Sequence, residues 1–361
     1  MQNSNETIRR NFTAMRRENK VRHRDIADKL NLAEGELIAA HVGVSNADSD
    51  VIAHATRLRP VWPEIIQSLV VLGEVMALTR NASCVHETIG AYRKTNYGDY
   101  TNSAQEGGID FHAFYTQWAH GFAVVEQTDH GVQRSFQFFD AAGVAIHKVF
   151  LRPQSDAAAF VTLTVTFASG KQRAGIDVCA APVKTDESAD ATIDVAGLRQ
   201  VWESLCKADE WFDLPKMFSA SRLQVLRLAG SHYVRRVEAS SLQPLLQATA
   251  QTGVAIMILA GNHGIVQIHS GPIKRVVVTK PWINVLDPSF NLHLREDHIA
   301  SAWAVKKPTT SGLVTSLELL DIRGHTIAAL FGERKHGEPE SSAWRALVDS
   351  IAQRKPAPCN T

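Results

Sequence analysis

An α+β architecture, made of two copies of one module with a large antiparallel sheet and flanking helices, is what this 361-residue chain implies. Two observations carry that expectation. The sequence matches itself at a fixed offset of 181 positions, and within each copy β-rich runs are separated by turn chemistry. At that offset Pro63 meets Pro244, Met76 meets Met257, Asn81 meets Asn262, Gly90 meets Gly271, Asp140 meets Asp321 and Phe150 meets Phe331. Prolines, glycines and aspartates punctuate loops, so matches at them report shared loop geometry and not merely shared hydrophobic class. The copies span about 63–170 and 244–351, too long for a solenoid unit, and read as a duplicated domain.

Each module is expected to follow a helical lead-in, giving a first domain over 1–185, a linker over 186–194 and a second domain over 195–352. In the first lead-in, 25–32 followed by 33–40 reads as a helix pair. Residues 132–139 and their partners 313–320 are β-rich. Asp140 to Gly143 and Asp321 to Gly324 supply turn residues, and 145–150 and 326–331 read as the return strands. Residues 160–167, FVTLTVTF, fit either strand or helix. The mostly polar stretch 186–194 separates the modules. Residues 195–218 then read as one or two helices and 221–228 as another. The chain closes with a helix over 344–351, whose Trp344, Leu347, Val348 and Ile351 share one face.

Composition narrows the function classes. Hydrophobic residues are 45% and charged residues 21%, the balance of a globular chain. Lys and Arg number 38 against 37 Asp and Glu, which argues against nucleic acid as the main partner. No run of 18 apolar residues and no secretory leader is visible, and Cys84, Cys179, Cys206 and Cys359 are scattered. A cytoplasmic protein with free thiols is the expectation.

The familiar motifs HExxH, GxSxG, GxGxxG and GxxxxGK[ST] do not occur. The nearest candidate metal cluster is His293, Asp297 and His298, but the segment before it does not read as helix, and polar residues of a strand and turn are the simpler reading. Residues 22–42 have the spacing of a helix-turn-helix, with Asn31 at the turn and seven upstream basic residues from Arg9 to Arg24. Glu34 and Glu36 at the start of the second helix would face phosphate, so a packing helix pair is the preferred reading over a DNA-binding regulator. Lys307 precedes one strand and Arg334 follows the next. If those strands are antiparallel neighbours, the two cations share a sheet end beside apolar side chains. That suits a ligand with an apolar body and acidic groups.

Several motifs, taken in order, resemble a known family: Leu78-Thr-Arg-Asn81, Phe136-Gln-Phe-Phe-Asp140, Ile268-His-Ser-Gly-Pro272, Trp282-Ile-Asn-Val-Leu-Asp-Pro288, Lys307-Pro-Thr309, Thr315-Ser-Leu-Glu318 and Trp344-Arg345. They look like the bacterial cytoplasmic haemin transport and haemin-degrading factors, over about residues 11–351. The resemblance implies two similar halves stacked together with haem in a cleft between them. It implies a role in haem uptake, sequestration and delivery or degradation during iron acquisition. It also implies a haem importer or a haem oxygenase as partner.

The resemblance places the family's axial histidine, in a D-x-H-x-F-F pattern, at Asp209 of this chain. It places the arginine of the opposite haem face at His112, two residues before Phe114. A tyrosine late in the second module is replaced by Phe331, and a nearby glutamine by Ala329. Lys307 and Arg334 match the family's propionate-side or distal cations. Phe114 and Leu259 are expected to pack the macrocycle. A carboxylate is an unusual haem ligand, so several accounts stand open. His112 supplies the iron ligand, or His232 swings in, or this chain has lost the ligand and takes another tetrapyrrole, another ligand or a protein partner.

Overall fold

A computed structural model describes residues 4–18, 21–44, 51–93, 101–102, 108–180, 187–205, 210–334 and 338–352. The chain opens with α1 (Asn5–Glu18), α2 (His23–Leu30) and α3 (Glu34–Ala39), then β1 (Ala53–Arg57), α4 (Trp62–Ser68), β2 (Glu74–Arg80) and β3 (Cys84–Ala91). Next come β4 (Thr101–Asn102), β5 (Asp110–Ala113), β6 (His120–Thr128), β7 (Gly131–Phe139), β8 (Ala145–Leu151) and α5 (Ala157–Phe167). The second half continues with α6 (Val195–Ser204), α7 (Leu214–Met217), α8 (Arg222–Leu228), β9 (Val234–Val237), α9 (Leu242–Thr252), β10 (Ile256–Asn262) and β11 (Ile265–Gly271). It ends with β12 (Val276–Thr279), β13 (Trp282–Leu286), β14 (Phe290–Arg295), β15 (Ser301–Thr309), β16 (Gly312–Leu320), β17 (Thr326–Gly332) and α10 (Ser342–Ala352).

Two compact units result. Unit 1 is Met1–Arg80, Glu87–Val183 and Asn262–Gln267, and unit 2 is Asn81–His86, Lys184–Gly261 and Ile268–Thr361. The short exchanged stretches, Asn81–His86 and Asn262–Gln267, are 181 positions apart, so the exchange follows the repeat. Within unit 2 the Asn81 amide donates to the carbonyls of Gly261 and Ile327, at 3.0 and 2.9 Å. Within unit 1 the Asn262 amide donates to the carbonyls of Arg80 and Ile146, both at 2.9 Å. Each of these partners is its counterpart's repeat mate, which explains why this asparagine appears in both copies.

The central run of each sheet repeats as well. Unit 1 has β1-β6-β7-β8-β2, all antiparallel. Unit 2 has β9-β15-β16-β17-β10, likewise antiparallel. Register is the same in both. Val124 faces Ser135, as Val305 faces Ser316, and a bulge falls between Phe138 and Phe139 as it does between Leu319 and Leu320. Strands β1 and β9 precede the modules read from the sequence, so the lead-ins are not wholly helical. A five-residue and a four-residue edge strand carry too little alternation to show in the sequence.

One sheet face in each unit is covered by helices. In unit 1, Trp62, Ile65 and Ile66 of α4 and Phe160, Leu163 and Phe167 of α5 join the main core. In unit 2, Leu242, Leu245 and Leu246 of α9 and Trp344, Val348 and Ile351 of α10 do the same. The ambiguous run 160–167 is helix. Asp156 caps it, its carboxylate accepting from the amides of Ala158 and Ala159 at 2.8 Å, and the alanines after it favour helix over the β-branched residues that follow.

The helix pair α2–α3 forms as expected, with Asn31 left-handed at φ 53° between the two helices. However, Glu34, Gly35, Leu37, Ile38 and Ala39 of α3 are buried, and the Gly35 amide donates to the Gly143 carbonyl at 2.8 Å. A six-residue helix buried this way packs and presents no reading face to a DNA groove. Gly143 has φ +75°, and a Cβ there would lie 2.7 Å from that of Ala33. In unit 2 the equivalent Gly324, φ +73°, meets Leu223 of α8. So α3 corresponds to α8 at an offset of 188, seven more than the sheets. Among the described residues no helix is long and apolar enough to cross a membrane.

Candidate ligand-binding face of the second unit

Strand alternation sends every second residue of unit 2's sheet away from the main core. Ile256, Ile258, Leu317, Leu319, Ala328 and Leu330 face the core with α9 and α10. Their alternates Met257, Leu259, Val314, Ala329 and Phe331 form a separate apolar cluster. At its edge sit the charged residues singled out by the sequence. β16 and β17 are indeed antiparallel neighbours, with Ser316 opposite Phe331. Lys307 lies near the end of β15, paired with Val314, just before β16.

Its side chain is buried among charged and aromatic partners. Lys307 is 1% exposed, its ammonium 3.3 Å from Glu318 and 4.4 Å from the centroid of the Phe331 ring. Arg222, from the N-terminus of α8, reaches the other Glu318 oxygen at 2.7 Å. Ser316 donates to Glu318 at 2.9 Å. One buried carboxylate therefore serves two buried cations. Burial pushes Lys307 down to about 7; Glu318 opposes this, while Arg222 and Arg334 lower it further. Burial likewise lowers Arg222 to about 10 against the pull of Glu318. Arg334, just past β17, is half-buried and near enough to act on Lys307 as a like charge.

The structure thus brings Leu259, Phe331, Lys307 and Arg334 together in unit 2. His112 and Phe114 belong to unit 1, where His112 of β5 is half-buried with its ring 4.9 Å from that of Phe114, which is exposed. Asp209 lies outside the described residues. His232 stands edge-on to Tyr233 at 4.7 Å. The candidate metal cluster dissolves into separate partners. His293 shares a hydrogen bond with Asn284, Arg295 donates to Asp297, and His298 shares one with Ser83. No group of three metal-ligating side chains occurs among the described residues. Arg222 and Glu318 carry no signal as a pair in the sequence, because the helix register differs from that of the sheets.

Comparison with known proteins places this arrangement. The model of the haemin-degrading HemS.ChuX domain matches residues 31–167 and again 219–351. This chain belongs to that family. The double match agrees with the repeat, including the shift of the helical segment. The hemin transport protein HmuS of Yersinia pestis is 35% identical over 332 residues, 92% of this chain and 93% of its own. The solved structure of holo-PhuS, a heme-binding protein from Pseudomonas aeruginosa, is 40% identical with a TM-score of 0.89, covering 97% of this chain and 99% of its own. The heme degrading enzyme ChuS of Escherichia coli O157:H7 is 31% identical with a TM-score of 0.85, covering 96% and 99%.

Proposed function

We propose that this HemS-family chain binds haem as cargo and carries it in the cytoplasm during iron acquisition, between an importer and an acceptor that consumes haem. Support comes from the relatives, named for hemin transport and heme binding, and from the second sheet face of unit 2. That face carries the reading: an apolar cluster with Arg334 at its rim and a buried cation pair behind suits a flat apolar body with acidic groups. In this reading Leu259 and Phe331 contact the macrocycle and Arg334 pairs with a propionate. Lys307 acts indirectly, holding Phe331 and keeping the field behind it positive. His112 of unit 1 is carried forward as the candidate iron ligand on its chemistry alone, a half-buried imidazole being a competent donor. Phe114 flanks that ring.

The test is a haemin titration followed at the Soret band. A saturable shift at one haemin per chain is expected, and a flat titration overturns the reading. His112→Ala should abolish the low-spin spectrum. Unchanged spectra, or a low-spin spectrum regained only in Asp209→His, would remove His112 from the iron. Ring opening is the second reading, favoured by likeness to a heme degrading enzyme. Loss of the Soret band on adding a reductant under air, with release of iron, would establish it.

A further inference from the structure

Unit 1 carries on its corresponding sheet face a cavity of about 640 Å³. Its floor is apolar: Met76 and Phe150 are cross-strand neighbours on β2 and β8, with Leu78 and Ile52 beside them. Its walls hold six basic side chains from Arg and Lys against three carboxylates. Two of the carboxylates are already committed. Glu126 accepts from Arg16 at 2.6 Å and shares a hydrogen bond with His23 at 2.8 Å, and Glu34 pairs with Lys148. The third, Asp129, is exposed in the turn after β6.

What remains is a cluster of arginines. Arg17 and Arg22 are exposed, and among the described residues Arg24 is tied only to Asp28, at 3.7 Å, through a pair open to solvent. Arg80, half-buried at the end of β2, has its backbone fixed by Asn262, but its guanidinium makes no hydrogen bond or ion pair among the described residues. Burial holds Arg80 below the ordinary arginine range, and Arg24 and Arg22 lower it further as like charges against the opposite pull of Glu34 and Asp25. Guanidinium groups gathered over an apolar floor, in excess over the acids beside them, favour an anionic ligand. The repeat sharpens this. Arg80 stands where unit 2 has Gly261, and Lys148 where it has Ala329, so at these two positions the duplicated face carries a cation in unit 1 and none in unit 2.

We propose that this cavity is a binding site for a small organic anion with a flat apolar body and at least two acidic groups, held by Arg80 with Arg22 and Arg24. The site is separate from the haem face of unit 2 and does not depend on iron ligation. Carboxylates and phosphates share the chemistry that the arginines recognise, and the experiment separates them.

The probe is bis-anilinonaphthalene disulfonate, a fluorescent apolar dianion, titrated into the full chain. Saturable binding is expected that weakens about tenfold or more in Arg80→Ala and in the double variant Arg22→Ala/Arg24→Ala, but not in the surface control Arg152→Ala. The double variant alters exposed or half-exposed positions, so it keeps the test valid should Arg80→Ala fold poorly. Displacement by 2,6-naphthalenedicarboxylate marks a carboxylate site, and displacement by inorganic pyrophosphate a phosphate site. Binding equal in wild type and both arginine variants overturns the proposal. So does binding lost only in Leu259→Asp, which would put the probe on unit 2. Haemin titration of the same variants keeps the outcomes apart, because failure of haem binding leaves the arginine-dependent signal untouched.

Discussion

On the second sheet face of unit 1, Lys148 of β8 meets Glu34 of α3; on that of unit 2, Glu318 of β16 meets Arg222 of α8. Glu34 and Arg222 occupy the same place on corresponding helices, with opposite charge. On the sheets, Ala329 stands where Lys148 does and Gln137 where Glu318 does. Position 126 is Glu with Arg16 and His23 around it, whereas its mate is Lys307 beside Glu318. Burial in each unit demands that charge be paired, but the fold is indifferent to which partner carries which sign. Once the pairs are made, the surplus differs. Unit 1 keeps arginines around an open cavity and unit 2 keeps an apolar cluster. Duplication supplied the frame, and charge placement on one face made two different surfaces from it.

The largest effects should come from breaking a pair. Glu318→Ala strands Lys307 and Arg222 in the interior and should cost about 3–5 kcal/mol in urea unfolding. Lys148→Ala should cost a similar amount by stranding Glu34, which Lys148 holds below the usual carboxylate range against the opposing effect of burial. The exchanged double variant Glu34→Lys/Lys148→Glu tests whether sign matters. If pairing alone counts, it should recover about 2 kcal/mol or more over the sum of its single variants.

Backbone effects come next. Gly143→Ala forces a side chain into φ +75° with a contact at 2.7 Å, while Gly324→Ala, at φ +73°, meets Leu223 at 3.2 Å. Each should lose about 1–3 kcal/mol, and the unit 1 variant more, as read from unfolding midpoints. A pH series separates the units further. Lys307 has a folded pKa of about 7 against an ordinary 10.5, so between those values the unfolded chain binds more protons. Stability should therefore rise with pH through that window relative to Lys307→Met, and be level with respect to this group below it. The smallest effect belongs to the solvent-exposed pair Arg152 and Glu74, at 3.3 Å. Arg152→Ala should change stability by about 0–1 kcal/mol, less in high salt.

The repeat, the strands β7, β8, β16 and β17, the helix pair α2–α3 and the terminal α10 are all legible from residue types. Turn residues and period-2 or period-3.6 alternation are local signals and survive in one sequence. Family motifs also lie in order along the chain, so membership is legible in the residues alone. Other features need the chain folded. The edge strands β1 and β9 are held by pairing with β6 and β15 and not by their own composition. The run 160–167 is helix because Asp156 caps it and the sheet buries its Phe160, Leu163 and Phe167 face. By sequence Lys307 has the mark of a ligand-facing cation. Its neighbours Glu318 and Arg222, 11 positions after it and 85 before it, make it a buried partner. The residues determine which charges a chain has. Whether a charge is spent on a partner or left for a ligand depends on distances between residues far apart in the chain, and only the tertiary structure decides that.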